Sequence, residues 1–162
     1  MIALLVQKKA LAFLCMGFLF AFTLGCQKKQ SLTNTYPFTF YKQPPPPNGG
    51  IDQMPNRQYA IWGKGTDGAP GHLLDDYLSL FEKYGFSGNG PSLNEHIQAV
   101  IELRDPDLLN HLEFDSNSNE FLVWADSENA VQRFMDAVLP VFGNAASMEA
   151  YLKQADPGAF ME

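Results

Sequence analysis

Leu112-Glu113-Phe114-Asp115-Ser116-Asn117-Ser118-Asn119-Glu120-Phe121-Leu122-Val123-Trp124-Ala125 decides the fold. Residues 112 to 115 alternate apolar and acidic. Ser116 to Asn119 is a polar turn, and Glu120 to Ala125 returns as a run of aromatic and branched side chains. That pattern predicts a β-hairpin. Its second strand is apolar on both faces, which places it in the middle of a sheet. Upstream, Gln58 to Gly63 reads as another strand, ended by the turn cluster Gly63-Lys64-Gly65-Thr66-Asp67-Gly68.

The segments around the hairpin change period from two to between three and four. Leu73, Leu74, Tyr77, Leu78, Phe81 and Tyr84 form one helical stripe, with Asp75, Asp76, Ser79, Glu82 and Lys83 on the other face and Gly85 suited to the left-handed residue that ends a helix. Ser92-Leu93-Asn94-Glu95 reads as a capping box for a second helix, whose stripe is Leu93, Ile97, Val100 and Ile101. It is expected to stop near Arg104, because Asp105-Pro106 restricts the backbone. One short helical turn to His111 follows, with Asp105 as its cap and Pro106 at its first position. Asp126-Ser127 opens a third helix carrying Val131, Phe134, Met135, Val138 and Leu139, which Pro140 kinks or stops. Ser147 caps a last helix through Ala155, and the tail from Asp156 is expected to fray. The expected fold is α+β, a small and mostly antiparallel sheet with three to four helices packed on it. Residues 51–162 form one domain of ordinary size.

The N-terminus has a different character. Lys8 and Lys9 precede a run without charge from Ala10 to Gly25, and Cys26 follows the small residue. That is the layout of a secretory signal over residues 1–25, cut before the cysteine. At ~1.5 Å per residue the uncharged run reaches about 24 Å, short of the ~30 Å of a bilayer core. An uncleaved anchor and cleavage elsewhere are the alternatives. Ala21-Phe22-Thr23-Leu24-Gly25-Cys26 resembles a bacterial lipobox, which implies that Cys26 becomes the acylated first residue of the mature chain. Cys15 would leave with the signal, so the folded part would hold no disulfide. Gln27 after Cys26 resembles signals sorted to the outer membrane rather than the inner. Residues 26–50 read as a Pro-rich membrane tether ending in Pro44-Pro45-Pro46-Pro47-Asn48-Gly49-Gly50. Within it, Tyr36 to Tyr41 is an aromatic patch able to form an edge strand.

Charge follows the same division. All 18 acidic residues lie from Asp52 onward against six basic ones, a net −12, while the first 50 residues hold five lysines and no acid; together these give the chain's −7. A basic stalk suits an anionic membrane surface. An acidic head excludes nucleic acid as a natural partner and suits a basic protein surface.

Chemical motifs are sparse. Gly85-Phe86-Ser87-Gly88-Asn89-Gly90 is glycine-rich before a helix, but a helix rather than a strand precedes it and no lysine follows, so it reads as a helix-to-helix connection and not a phosphate loop. Asp115 to Asn119 copies the start of a calcium loop, yet Glu120 stands where glycine is needed and Asp126 where glutamate is usual. His72, His96 and His111 are too far apart in sequence for a zinc site and read as surface groups. No Gly-x-Ser-x-Gly elbow occurs, and the pairs Asp75-Asp76 and Asp105-x-Asp107 have simpler roles on helix faces and caps. Trp62 and Trp124 fall on strands, where packing is their default use. Neither a cofactor, a metal nor a catalytic group is expected.

Leu80-Phe81-Glu82-Lys83-Tyr84-Gly85-Phe86-Ser87-Gly88-Asn89-Gly90, then Leu112 to Asp115, then Glu120 to Trp124, followed by a Ser-capped helix with Phe134, resemble the immunity-protein family numbered 51 of bacterial polymorphic toxin systems. The "Gly-Phe-x-Gly-Asn-Gly" stretch is the most specific piece. Pro91-Ser92 stands where the family tends to carry an aromatic and a Trp, and Ser116 to Asn119 replaces a turn with Pro and Gly. The resemblance implies a protein that binds and neutralises a cognate toxin and does not catalyse. With the lipobox, it implies action in the periplasm from a lipid anchor. The expected contact patch is Asp75, Asp76 and Glu82 with Phe86 and Asn89. A cell-envelope scaffold or ligand-binding lipoprotein unrelated to toxins is the alternative, and a periplasmic hydrolase is third.

Overall fold

Four strands pair antiparallel in the spatial order β1-β2-β4-β3. They are β1 (Thr39–Lys42), β2 (Tyr59–Lys64), β3 (Leu112–Phe114) and β4 (Glu120–Ala125). The computed structural model describes residues 35–44, 56–64 and 73–160, without the side chains of residues 64 and 73–76. The signal, Cys26, the proline run beyond Pro44 and His72 lie outside the described residues. The β3–β4 hairpin forms, and β4 is central as its two-sided apolar sequence requires.

Pairing register assigns each side chain to a face, because directly opposed residues project the same way. Ile61 opposes Val123, which opposes Phe114; Phe40 opposes Ile61; Tyr59 opposes Ala125, which opposes Leu112. These form the inner face. The outer face has Tyr41, Ala60, Trp124 and Glu113 in one row and Thr39, Trp62 and Leu122 in the next.

Helices α1 (Leu73–Lys83), α2 (Gly90–Arg104), α3 (Glu128–Phe142) and α4 (Ala145–Leu152) complete the α+β fold. Their apolar stripes build one core with the inner face: Tyr77 and Phe81, then Leu93, Ile97, Val100 and Ile101, then Val131, Phe134, Met135 and Val138, then Met148 and Leu152. Each fully buried Phe or Leu contributes roughly 1.5–3 kcal/mol. Among the described residues no helix is long and apolar enough to cross a membrane.

Several boundaries differ from expectation. The globular part begins before residue 51. Phe38 is 1% exposed and packs on Phe121 and Phe134, with ring centroids 5.5 and 5.3 Å away, so the aromatic patch belongs to the sheet rather than to a tether. The cap of α2 is Asn89, whose side chain accepts from the Ser92 amide at 2.9 Å; Ser92 lies inside the first turn. The cap of α4 is Asn144, which accepts from the Ser147 amide at 2.9 Å, and α4 ends at Leu152. Asp105 precedes the short 3₁₀ helix Pro106–His111 as expected, but its carboxylate binds Arg133 rather than a free amide. α3 runs through Pro140 to Phe142, where buried Val141 and Phe142 hold its last turn on the core. Leu78 is 38% exposed although the stripe of α1 would bury it. The tail does not fray at Asp156: a 3₁₀ turn at Pro157–Ala159 brings Phe160 against the core.

Candidate partner-binding surface

The expected contact residues do not form one exposed patch. Asp75 and Asp76 lie in α1, with side chains outside the described residues, and Glu82 is exposed. Phe86 is only 2% exposed, so it has no ring to offer a partner. Asn89 spends its side-chain oxygen on the α2 cap.

The loop that carries Phe86 and Asn89 is a joint. Gly85 ends α1 at φ +86°, and Gly88 sits at φ +68°, where a Cβ would also meet the Phe81 Cβ at 2.9 Å. Gly90 touches the hairpin turn, and a Cβ there would stand 2.2 Å from the Asn117 carbonyl oxygen and 2.3 Å from that of Glu120. The loop is the predicted connection between helices, and Ser116 to Asn119 is the predicted turn, closed by an Asn117–Glu120 bridge.

His96 is the residue the sequence misplaced. It is fully buried instead of exposed. Its ring stacks on Phe160 with centroids 4.0 Å apart and meets Phe86 edge-on at 4.5 Å and Phe81 at 5.3 Å. Nδ1 pairs with the Tyr151 hydroxyl at 3.0 Å, while Nε2 has no hydrogen-bond partner among the described residues. Burial pushes His96 down to about 4 and Tyr151 up to about 12, so both are neutral near pH 7. A neutral imidazole sealed from water serves packing, not proton transfer to a ligand. Its spacing was the available signal: His96 lies three residues after Leu93 and four before Val100, on the buried stripe of α2.

Two polar clusters remain. His111 Nδ1 lies 2.6 Å from Asp126, and the Ser127 hydroxyl donates to the other oxygen of Asp126 at 2.7 Å. The carboxylate thus stands between serine and histidine, whereas an activated serine needs the histidine next to it. Ser127 also caps α3 by accepting from the Ala130 amide at 3.1 Å. Asp126 titrates lower than an ordinary carboxylate: burial opposes this, but the His111 and Ser127 hydrogen bonds outweigh it. Beside it, Arg133 grips Asp105 with two bonds of 2.8 and 2.6 Å and depresses its pKa. Among the described residues no group of three His, Cys, Asp or Glu could hold a metal.

The second cluster lies on the outer sheet face. Arg57 bonds to both oxygens of Glu113, reaches Asp115 at 3.0 Å, and lies 5.3 Å over the Trp124 ring. The Trp124 indole donates to Asp115 at 3.0 Å. The hydrogen bonds from Arg57 hold Glu113 below the usual carboxylate range. Trp124 is therefore packed, but on the outer face and not in the helical core. An aromatic plane flanked by carboxylates recognises cationic side chains by contact and charge. The sequence gave no sign of this site, because Arg57 and Glu113 are 56 residues apart.

The profile of the family described as Immunity protein 51 matches residues 73–157, from α1 to the start of the final 3₁₀ turn. No curated protein and no solved structure matches the chain.

Proposed function

The chain belongs to the Immunity protein 51 family, and on that premise we propose that it is a membrane-tethered immunity protein that binds and neutralises a cognate toxin acting in the periplasm. The family match carries the neutralising role. The basic and apolar N-terminus ending at Gly25-Cys26 supports export and a lipid anchor on Cys26, at the outer membrane in preference to the inner. The role is binding: the charged clusters of the described head are caps and ion pairs, and its histidine with the most altered titration is sealed from solvent.

Growth protection tests the proposal. The toxin domain encoded beside this chain's gene is produced either with an export signal or without one. The full chain rescues cells from the exported toxin and not from the cytoplasmic form. A fatty-acid label enters the wild type and is absent from Cys26→Ser. Rescue from cytoplasmic toxin alone, or equal label on Cys26→Ser, overturns the envelope assignment.

A further inference from the structure

The helices use one face of the sheet. The other face carries Ala60, Trp62, Leu122 and Trp124, and none of these belongs to the core built with the helices. At its β1 edge stands Tyr41, 45% exposed. At its β3 edge stand Glu113 and Asp115, whose side chains are 42% and 45% exposed despite their bonds to Arg57. Glu120 extends the acidic side along β4.

This composition is specific. Tyr, Trp and Arg are the residue types that dominate binding energy when a partner covers them. They are two- and three-torsion anchors already held in place: Trp124 by Asp115 and Arg57, Arg57 by Glu113. Pre-positioned anchors lose little entropy on docking. The acids Glu113, Asp115 and Glu120 outnumber the single guanidinium of Arg57 among the described side chains of this face. The net charge of the chain, −7, has the same sign. A cationic protein surface is drawn to such a face from a distance and exchanges water for carboxylates on arrival.

We infer that the outer sheet face is the docking surface for a lysine- and arginine-rich patch of the toxin, with Tyr41, Trp62, Leu122 and Trp124 as its apolar centre and Glu113, Asp115 and Glu120 as its charged rim. This rests on the immunity reading. It moves the contact away from α1 and Glu82, which lie on the helical side. Arg57, Tyr41 and Trp62 precede residue 73, so this surface combines strands inside and outside the family match.

The chain has two tryptophans, Trp62 and Trp124, and both report on this face. Grown with fluorotryptophan, the full chain gives two fluorine resonances. Adding an inactive variant of the neighbour-encoded toxin shifts both, and Tyr41→Ala with Glu120→Lys weakens its affinity by ~tenfold or more. Raising salt weakens binding by slowing association. Glu82→Lys changes affinity by less than about threefold, as expected of a charge outside the contact. Affinity unchanged in the Tyr41/Glu120 variant, with unmoved resonances, overturns the docking surface and leaves the immunity reading standing. Resonances that shift with the chain's own concentration, without toxin, assign the face to a second copy and overturn it as well. No binding by the wild type removes the immunity reading itself, and the docking surface with it.

Discussion

Lowering the pH should unfold this protein through His96 before its carboxylates respond. The ring is fully buried, and burial holds its pKa at about 4 against an ordinary 6.5. In the unfolded chain it takes up a proton at the ordinary value. Between these two values the unfolded state binds more protons, so stability falls as pH falls. The shift spans about 2.5 units, and at about 1.36 kcal/mol per unit the full loss is roughly 3.4 kcal/mol. The carboxylates act lower. Glu113 and Glu149 are depressed from 4.5, Asp105 and Asp126 from 3.8, so their stabilisation is complete above those values and lost beneath them. From pH 6.5 to 4.5 His96 therefore accounts for roughly 2.7 kcal/mol, a large part of the ~5–15 kcal/mol that holds a domain together. Tyr151, pushed up to about 12, keeps its proton throughout.

Urea unfolding of the full chain at a series of pH values measures this directly, with the midpoint falling and the slope constant. His96→Phe with Tyr151→Phe removes both the imidazole and the hydroxyl that would otherwise be left unpaired. That double variant should lose the pH dependence between 6.5 and 4.5, whatever its absolute stability. A wild type whose midpoint stays flat over this range would refute the burial of His96 as the cause. So would a double variant that keeps the wild-type slope.

Two further substitutions probe the architecture. Gly90→Ala places a Cβ 2.2 and 2.3 Å from two backbone oxygens, which no rotamer change relieves, and should cost about 1–3 kcal/mol in calorimetry. Gly158→Ala, whose nearest contact is 3.4 Å, should stay within about 0.5 kcal/mol and serves as control. Phe38→Ala should cost about 3–5 kcal/mol by chemical denaturation, and a loss under about 1 kcal/mol would return residues 35–44 to the tether.

Periodic segments were legible in the sequence, and their ends were less so. The stripes of α2 and α3 and the pairing of β3 with β4 depend on neighbours within a few turns, so local pattern carries them. Caps compete over three residues. Asn89-Gly90-Pro91-Ser92 and Asn144-Ala145-Ala146-Ser147 each offer two side chains that can accept an amide, and in both the asparagine wins. Pro91 was the neglected sign, because proline suits a first turn and so points to a start before Ser92. Phe38 and Phe160 were assigned to tether and tail because their partners are remote: Phe121 and Phe134 for one, His96 and Phe86 for the other. The outer-face cluster was illegible for the same reason. Its members come from the approach to β2, from β3 and from β4, and only the strand register brings them together.

The most family-specific stretch is also the one least available to a partner. Gly85 turns the chain, Phe86 closes the pocket around His96, Gly88 lets the loop lie on Phe81, Asn89 caps α2, and Gly90 admits the hairpin turn. Each residue in that series is constrained by the joining of α1, α2 and the hairpin, and a toxin exerts no demand on any of them. Likeness along this stretch therefore implies a common scaffold and leaves the choice of toxin open. Partner choice must reside on side chains that the scaffold does not consume. On the outer sheet face, Tyr41, Leu122, Glu113 and Glu120 meet that condition, since their loss would leave the helical core intact.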